Sequence, residues 1–159
     1  MEVQNQHPLL SGHNKKLKRI LNEYNGGQWR TGKWQKEELL YTDLIKRGFQ
    51  MGFLPASWKV QKGASLRQIL SAQLMCVPMR ITKKYQAREA LGKQVYHPCD
   101  HSSSNINRAE LISRIEEAEK QFVSRALEYY SARETRKPRA SCRTRGNIDD
   151  EMDPSGADE

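Results

Sequence analysis

Apolar residues recur at helical spacing in several stretches of this chain, and the ends of those stretches carry helix start and stop signals. From Trp34 to about Met51, the positions Trp34, Tyr41, Leu44, Ile45, Gly48 and Phe49 form one stripe. Glu37 and Glu38 stand in its first turn and Lys46 and Arg47 in its last, as the helix dipole favours. Gly52 and Pro55 end it. A loop carrying Trp58 comes next. Ser65 and Gln68 then make a capping box, and Leu66, Ile69, Leu70 and Leu74 predict a second helix. Met75-Cys76-Val77 predicts a tight turn, although Val77 has no side chain able to cap a helix starting at Pro78.

A third helix is expected from Pro78 to Arg88, with proline tolerated in the first turn. At about 100° per residue, Arg80, Lys83, Lys84 and Ala87 fall on one side and Pro78, Ile81 and Tyr85 on the other. A basic face on an anchored helix suits a phosphate-lined groove. Three helices with a three-residue joint between the last two match the helix-turn-helix pattern. Gly92-Lys93-Gln94-Val95-Tyr96 is placed as an arm lying back on these helices.

Beyond a serine-rich linker at 99–106, a fourth helix is predicted from Asn107 to Glu134. Asn107 and Glu110 offer a capping box, and Ile106 and Leu111 a hydrophobic staple. Its stripe, Leu111, Ile115, Ala118, Phe122, Ala126 and Tyr129, approaches a heptad seam. That seam leaves two uses open, a partner helix (a protein partner or a second copy) or the chain's own domain.

Composition limits how far the core extends, because only 36% of the 159 residues are hydrophobic and 29% are charged. The net charge of +8 is unevenly distributed. Residues 28–98 hold thirteen cations against four anions, residues 135–148 five against none, and residues 149–159 none against six. The expected layout is therefore a basic, flexible segment at 1–28, a folded domain at 29–98, the linker, a separate amphipathic helix at 107–134, and a disordered basic-then-acidic tail at 135–159. Lys15-Lys16-Leu17-Lys18-Arg19 fits a nuclear-import cluster. It also fits a helix turn, since Leu17, Ile20, Leu21 and Tyr24 are helically spaced.

No run of about eighteen apolar residues exists to span a membrane. Three scattered cysteines predict a reducing compartment. Cys76 reads as a small buried hydrophobe. His97, Cys99 and His101 do not match common zinc spacings, so no metal and no cofactor is expected. No phosphate loop, nucleophile elbow or facing carboxylate pair occurs, and no enzymatic activity is expected.

The opening Gly32-Lys33-Trp34-Gln35-Lys36-Glu37-Glu38 resembles the Gly-x-Trp-Thr-x-Glu-Glu start of Myb/SANT repeats. Three features differ from that family: Gln35 stands where threonine is usual, the loop from Gly52 to Ala64 is long, and Tyr85 stands in place of a third-helix tryptophan. A longer string runs through Gly32, Trp34, Glu37, Glu38, Gly52, Leu54, Pro55, Leu66, Arg67, Leu70, Leu74, Cys76 and Pro78 to Lys84. It is similar to small Myb- or homeodomain-like proteins of protist genomes. The resemblance implies an all-α, three-helix DNA-binding fold with Trp34 in the core and the third helix as the reader.

Together these readings predict a nuclear protein that binds duplex DNA in transcription or chromatin regulation. Arg80 and Lys83 are the expected base or phosphate contacts, Lys84 and Arg88 the expected backbone contacts, and Lys93 a further source of charge. The alternative is a SANT-like protein-interaction subunit that docks through the helix at 107–134.

Overall fold

Asn14 starts the first helix by accepting a hydrogen bond from the Leu17 amide at 3.2 Å. The computed structural model describes residues 13–85, 89–99 and 105–135, with no side-chain description at 105 and 106. Five α-helices occur among them, and no strand: α1 (Lys15–Tyr24), α2 (Lys36–Met51), α3 (Leu66–Leu74), α4 (Pro78–Tyr85) and α5 (Asn105–Thr135). The all-α class expected from the periodicity is therefore what forms.

The segment expected to be flexible is helical from Lys15, and α1 buries Leu17, Ile20 and Leu21. Asn14 also fastens α1 to the end of α3, its amide donating to the Ala72 carbonyl and its side chain to that of Gln73. Lys15, Lys16, Lys18 and Arg19 remain exposed around buried Leu17. Past Gly27 the chain turns inward, and the Arg30 amide donates to the Met75 carbonyl at 2.7 Å.

α2 is the central helix. Its start is held by Glu38, whose carboxylate accepts from the Gln35 amide, and it stops at Gly52, in the left-handed region at φ 74°. Gly48 in its last turns admits a close approach: a β-carbon there would lie 2.6 Å from the Phe53 carbonyl oxygen and 3.0 Å from Ile115. α3 opens with the expected box, as Ser65 Oγ accepts from the Gln68 amide and Gln68 Oε1 from the Ser65 amide. The arm at 92–96 lies back as expected. Leu66 N donates to the Gln94 carbonyl and Tyr96 N to that of Ala64, while the Tyr96 hydroxyl donates to the Gly52 carbonyl at 3.0 Å.

The expected separation of the last helix is corrected by its packing. α5 begins at Asn105, so Asn107 is inside the helix and exposed rather than at its cap. Leu111, Ile115, Ala118, Phe122, Ala126 and Tyr130 are buried in the same cluster as the core residues of α1, α2 and α3. Phe122 stacks on Tyr41 of α2 with centroids 5.4 Å apart. The seam ends on Tyr130, 3% exposed, rather than Tyr129, 38% exposed. The final steps of four residues trace an i, i+4 ridge of a helix lying across others, not a heptad. The boundary expected at residue 98 thus runs through a shared core. The expected tail at 135–159, apart from Thr135 itself, and the residues before His13 lie outside the described residues.

This packing sets two expected outcomes. A fragment ending at residue 98 loses the cover over Tyr41 and Gly48 and should show no cooperative urea transition, whereas the full chain should. Phe122→Ala should cost about 3–5 kcal/mol in the same measurement. A loss under about 1 kcal/mol would show that α5 does not close the core.

Candidate nucleic-acid interface

The turn between α3 and α4 is held from several sides. Met75 adopts the left-handed conformation at φ 49° with its side chain buried, a backbone state that costs a non-glycine residue about 1–2 kcal/mol. Ser71 stabilises it, its hydroxyl donating to the Cys76 carbonyl at 2.6 Å and its own carbonyl accepting from the Cys76 amide. Arg30 bridges to Cys76 from the other side. Cys76 is fully buried, as expected, and burial pushes its thiol above the usual range.

Beneath this turn lies the strongest polar cluster among the described residues. The Glu38 carboxylate, 0% exposed, sits between two arginines. Arg30 reaches it with both terminal nitrogens, at 2.7 and 3.1 Å. Arg80 does the same from α4, at 2.5 and 3.2 Å, and also donates to the Gly32 carbonyl. Each guanidinium is covered by a ring: Arg30 lies 4.7 Å from the Phe122 centroid and Arg80 4.2 Å from that of Trp34. Both Nε atoms lack a hydrogen bond, because the end-on forks use only the terminal nitrogens. Burial works against the Glu38 charge, but hydrogen bonds from Arg80 and Arg30 outweigh it and leave the carboxyl below its ordinary range.

This cluster corrects the role expected of Arg80. The residue lies on the flank of α4, about 100° from buried Ile81, and its side chain folds inward until only 10% is exposed. It is a structural cation, not a free one. Trp34 is likewise half-buried, forming a lid over Arg80 and meeting Tyr85 edge-on at 5.9 Å, rather than filling the centre of the core. The signal for this pairing was present in the sequence as an acidic residue in a helix start. Its two partners, 8 and 42 positions away, carry no local pattern.

What α4 presents outward is different. Val77 is 47% and Met79 59% exposed. Lys83 and Lys84 are exposed and form no ion pair or hydrogen bond among the described residues. Lys93 is exposed on the arm. Met79 and Lys83 are one turn apart and opposite Ile81, so they share the outermost line of the helix. Lys46, by contrast, is held by Glu89 and the Tyr85 ring. Arg88 lies outside the described residues.

The cavity beside Arg30, lined by Phe122, Ala126 and Tyr130, holds about 10 Å³, no more than one water. A shallow depression of about 410 Å³ is lined by Glu37, Lys120, Gln121, Ser124, Arg125 and Glu128. Among the described residues no group of three or more His, Cys, Asp or Glu converges on a metal position, and no helix is long and apolar enough to cross a membrane. Compared with protein-family models, curated proteins and solved structures, the chain matches none.

Glu38→Gln leaves two arginines without their counter-charge and should cost about 3–5 kcal/mol at neutral pH. Because the folded pKa is lowered, Glu38 contributes fully above the ordinary carboxylate value of about 4.3. The contribution fades as pH falls through the lower folded value. Urea titrations of both proteins should therefore converge on acidification, and a constant gap down to the acid transition would contradict the assignment.

Proposed function

We propose that the protein binds duplex DNA, with α2, α3 and α4 acting as a helix-turn-helix unit and the outer face of α4 entering the major groove. The observation that carries this reading is the outward line of Met79 and Lys83, with Lys84 beside it. These are unpaired cations and an apolar tip on a helix whose inner flank is bolted to α2 through Arg80 and Glu38. A fixed helix of this kind can read base edges with Lys83 and Met79, the methionine against thymine methyl groups, while Lys84 and Lys93 meet phosphates. Arg80 positions the helix and does not contact DNA. A nuclear site of action and a part in transcription or chromatin regulation accord with this reading.

The protein-interaction alternative relied on the helix at 107–134 as a docking element. The apolar seam of that helix is covered by α1 and α2, which removes its motive.

Fluorescence anisotropy of the full chain on labelled duplexes, across a salt series, tests the proposal. The slope of log K against log salt should lie near −3 or steeper, at about −0.9 per phosphate contacted. Lys83→Ala should weaken preferred sites by about 1–3 kcal/mol and flatten sequence preference, whereas Lys84→Ala should weaken all sequences alike. Arg80→Ala should lower the urea midpoint. Duplex binding absent at about 100 mM salt, or equal sequence-blind losses for Lys83 and Lys84, would sink the reader assignment.

A further inference from the structure

α4 is flanked on its second side by a cation to which the sequence alone assigns no role. Arg67, in the first turn of α3, reaches across to α4 and donates to Thr82 Oγ1 at a long 3.5 Å. Its guanidinium lies directly over Gly92 of the arm, where a β-carbon would stand 3.0 Å from both Cζ and a terminal nitrogen. Arg67 is only half-buried, and among the described residues no carboxylate pairs with it. The other arginines that bridge elements here, Arg30 and Arg80, end on Glu38. Arg67 ends on a hydroxyl and a bare stretch of backbone, with Lys93 next in the chain and exposed.

The geometry around it holds the side chain rather than neutralising it. The returning chain is clipped to α3 and the residues just before it by four backbone hydrogen bonds, Leu66 N to Gln94 O, Arg67 N to Leu91 O, Tyr96 N to Ala64 O and Gly63 N to Tyr96 O. Those bonds and the Ser65 cap occupy the first amides of α3, so any anion here must be met by side chains. The absence of a side chain at Gly92 lets the guanidinium lie close against the arm, its Cζ and both terminal nitrogens within 3.3 Å of where a β-carbon would stand. Thr82 lies about 100° around α4 from Ile81, on the flank opposite Arg80 and Lys84. Cations therefore border the outward line of Met79 and Lys83 on both sides, as the two phosphate backbones border a major groove.

The geometry points to Arg67, with Lys93, as a phosphodiester-binding site that grips the DNA backbone on the side of the groove away from Lys84. This rests on the DNA-binding reading above and adds a site to it. Arg67 is held in place before DNA arrives, so its planar fork meets phosphate oxygens with little further ordering.

The test uses the full chain, labelled duplexes and a salt series, with urea midpoints measured in parallel. Arg67→Met should weaken every sequence alike and make the salt slope shallower by about one, and Arg67→Lys should restore the slope. Arg67→Gln removes the charge but keeps a polar side chain of similar reach, and should likewise make the slope shallower by about one. If Arg67→Met lowers only the urea midpoint and leaves the slope unchanged, while Lys84→Ala makes it shallower, the site is overturned and the DNA reading stands. If Arg67→Met does not fold, Arg67→Gln decides, and a parental salt slope there overturns the site. If the parent protein shows no salt-dependent duplex binding, both fall together.

Discussion

The arrangement of this protein depends on one buried carboxylate. Glu38 binds Arg30, which precedes α2 in the chain, and Arg80, from α4, each through a two-pronged contact. Removing three charges from water is expensive, and the attraction between them repays that only where geometry is good and each group is covered. Here Phe122 and Trp34 supply the cover. The cluster therefore ties four parts of the chain to one point: the segment before α2, α2 itself, α4, and α5 through Phe122. A hydrophobic replacement could fill the same volume, but it would not fix the rotation of α4 about its axis as two directional contacts do.

The second constraint is scarcity of apolar surface. A short chain with little hydrophobic content must draw on most of its amphipathic segments to close a core. α1 and α5 supply what α2 and α3 lack, and Tyr41 shows how: it stacks on Phe122, meets Trp58 edge-on, and donates to Gln73. With the seam of α5 consumed in this way, the helix acts as the roof of the domain.

These two constraints together sort the cations. Arg30 and Arg80 are drawn into the interior because a buried acid needs them, and Lys46 is drawn against Tyr85 and Glu89. Lys83, Lys84 and Lys93 stay in water, and Arg67 is held at the rim. Any electrostatic surface this protein offers is made from what the fold leaves over, so the formal charge of residues 28–98 overstates it.

The sequence by itself determined the helical class, the stop of α2 at Gly52, the Ser65 box, the turn at Met75–Val77, the burial of Cys76 and the arm returning through Tyr96. All of these depend on periodicity, caps and turn residues acting over a few positions, which a single chain displays directly. Only the tertiary structure decided that α1 and α5 join the core, that Tyr130 rather than Tyr129 ends the seam, and that Arg80 turns inward while Arg67 reaches across to Thr82. An arginine on a helix flank reads the same in sequence whether its partner is a phosphate or a buried glutamate 42 positions away. Which it meets depends on how the helices cross, and that is settled by the packing of the whole chain.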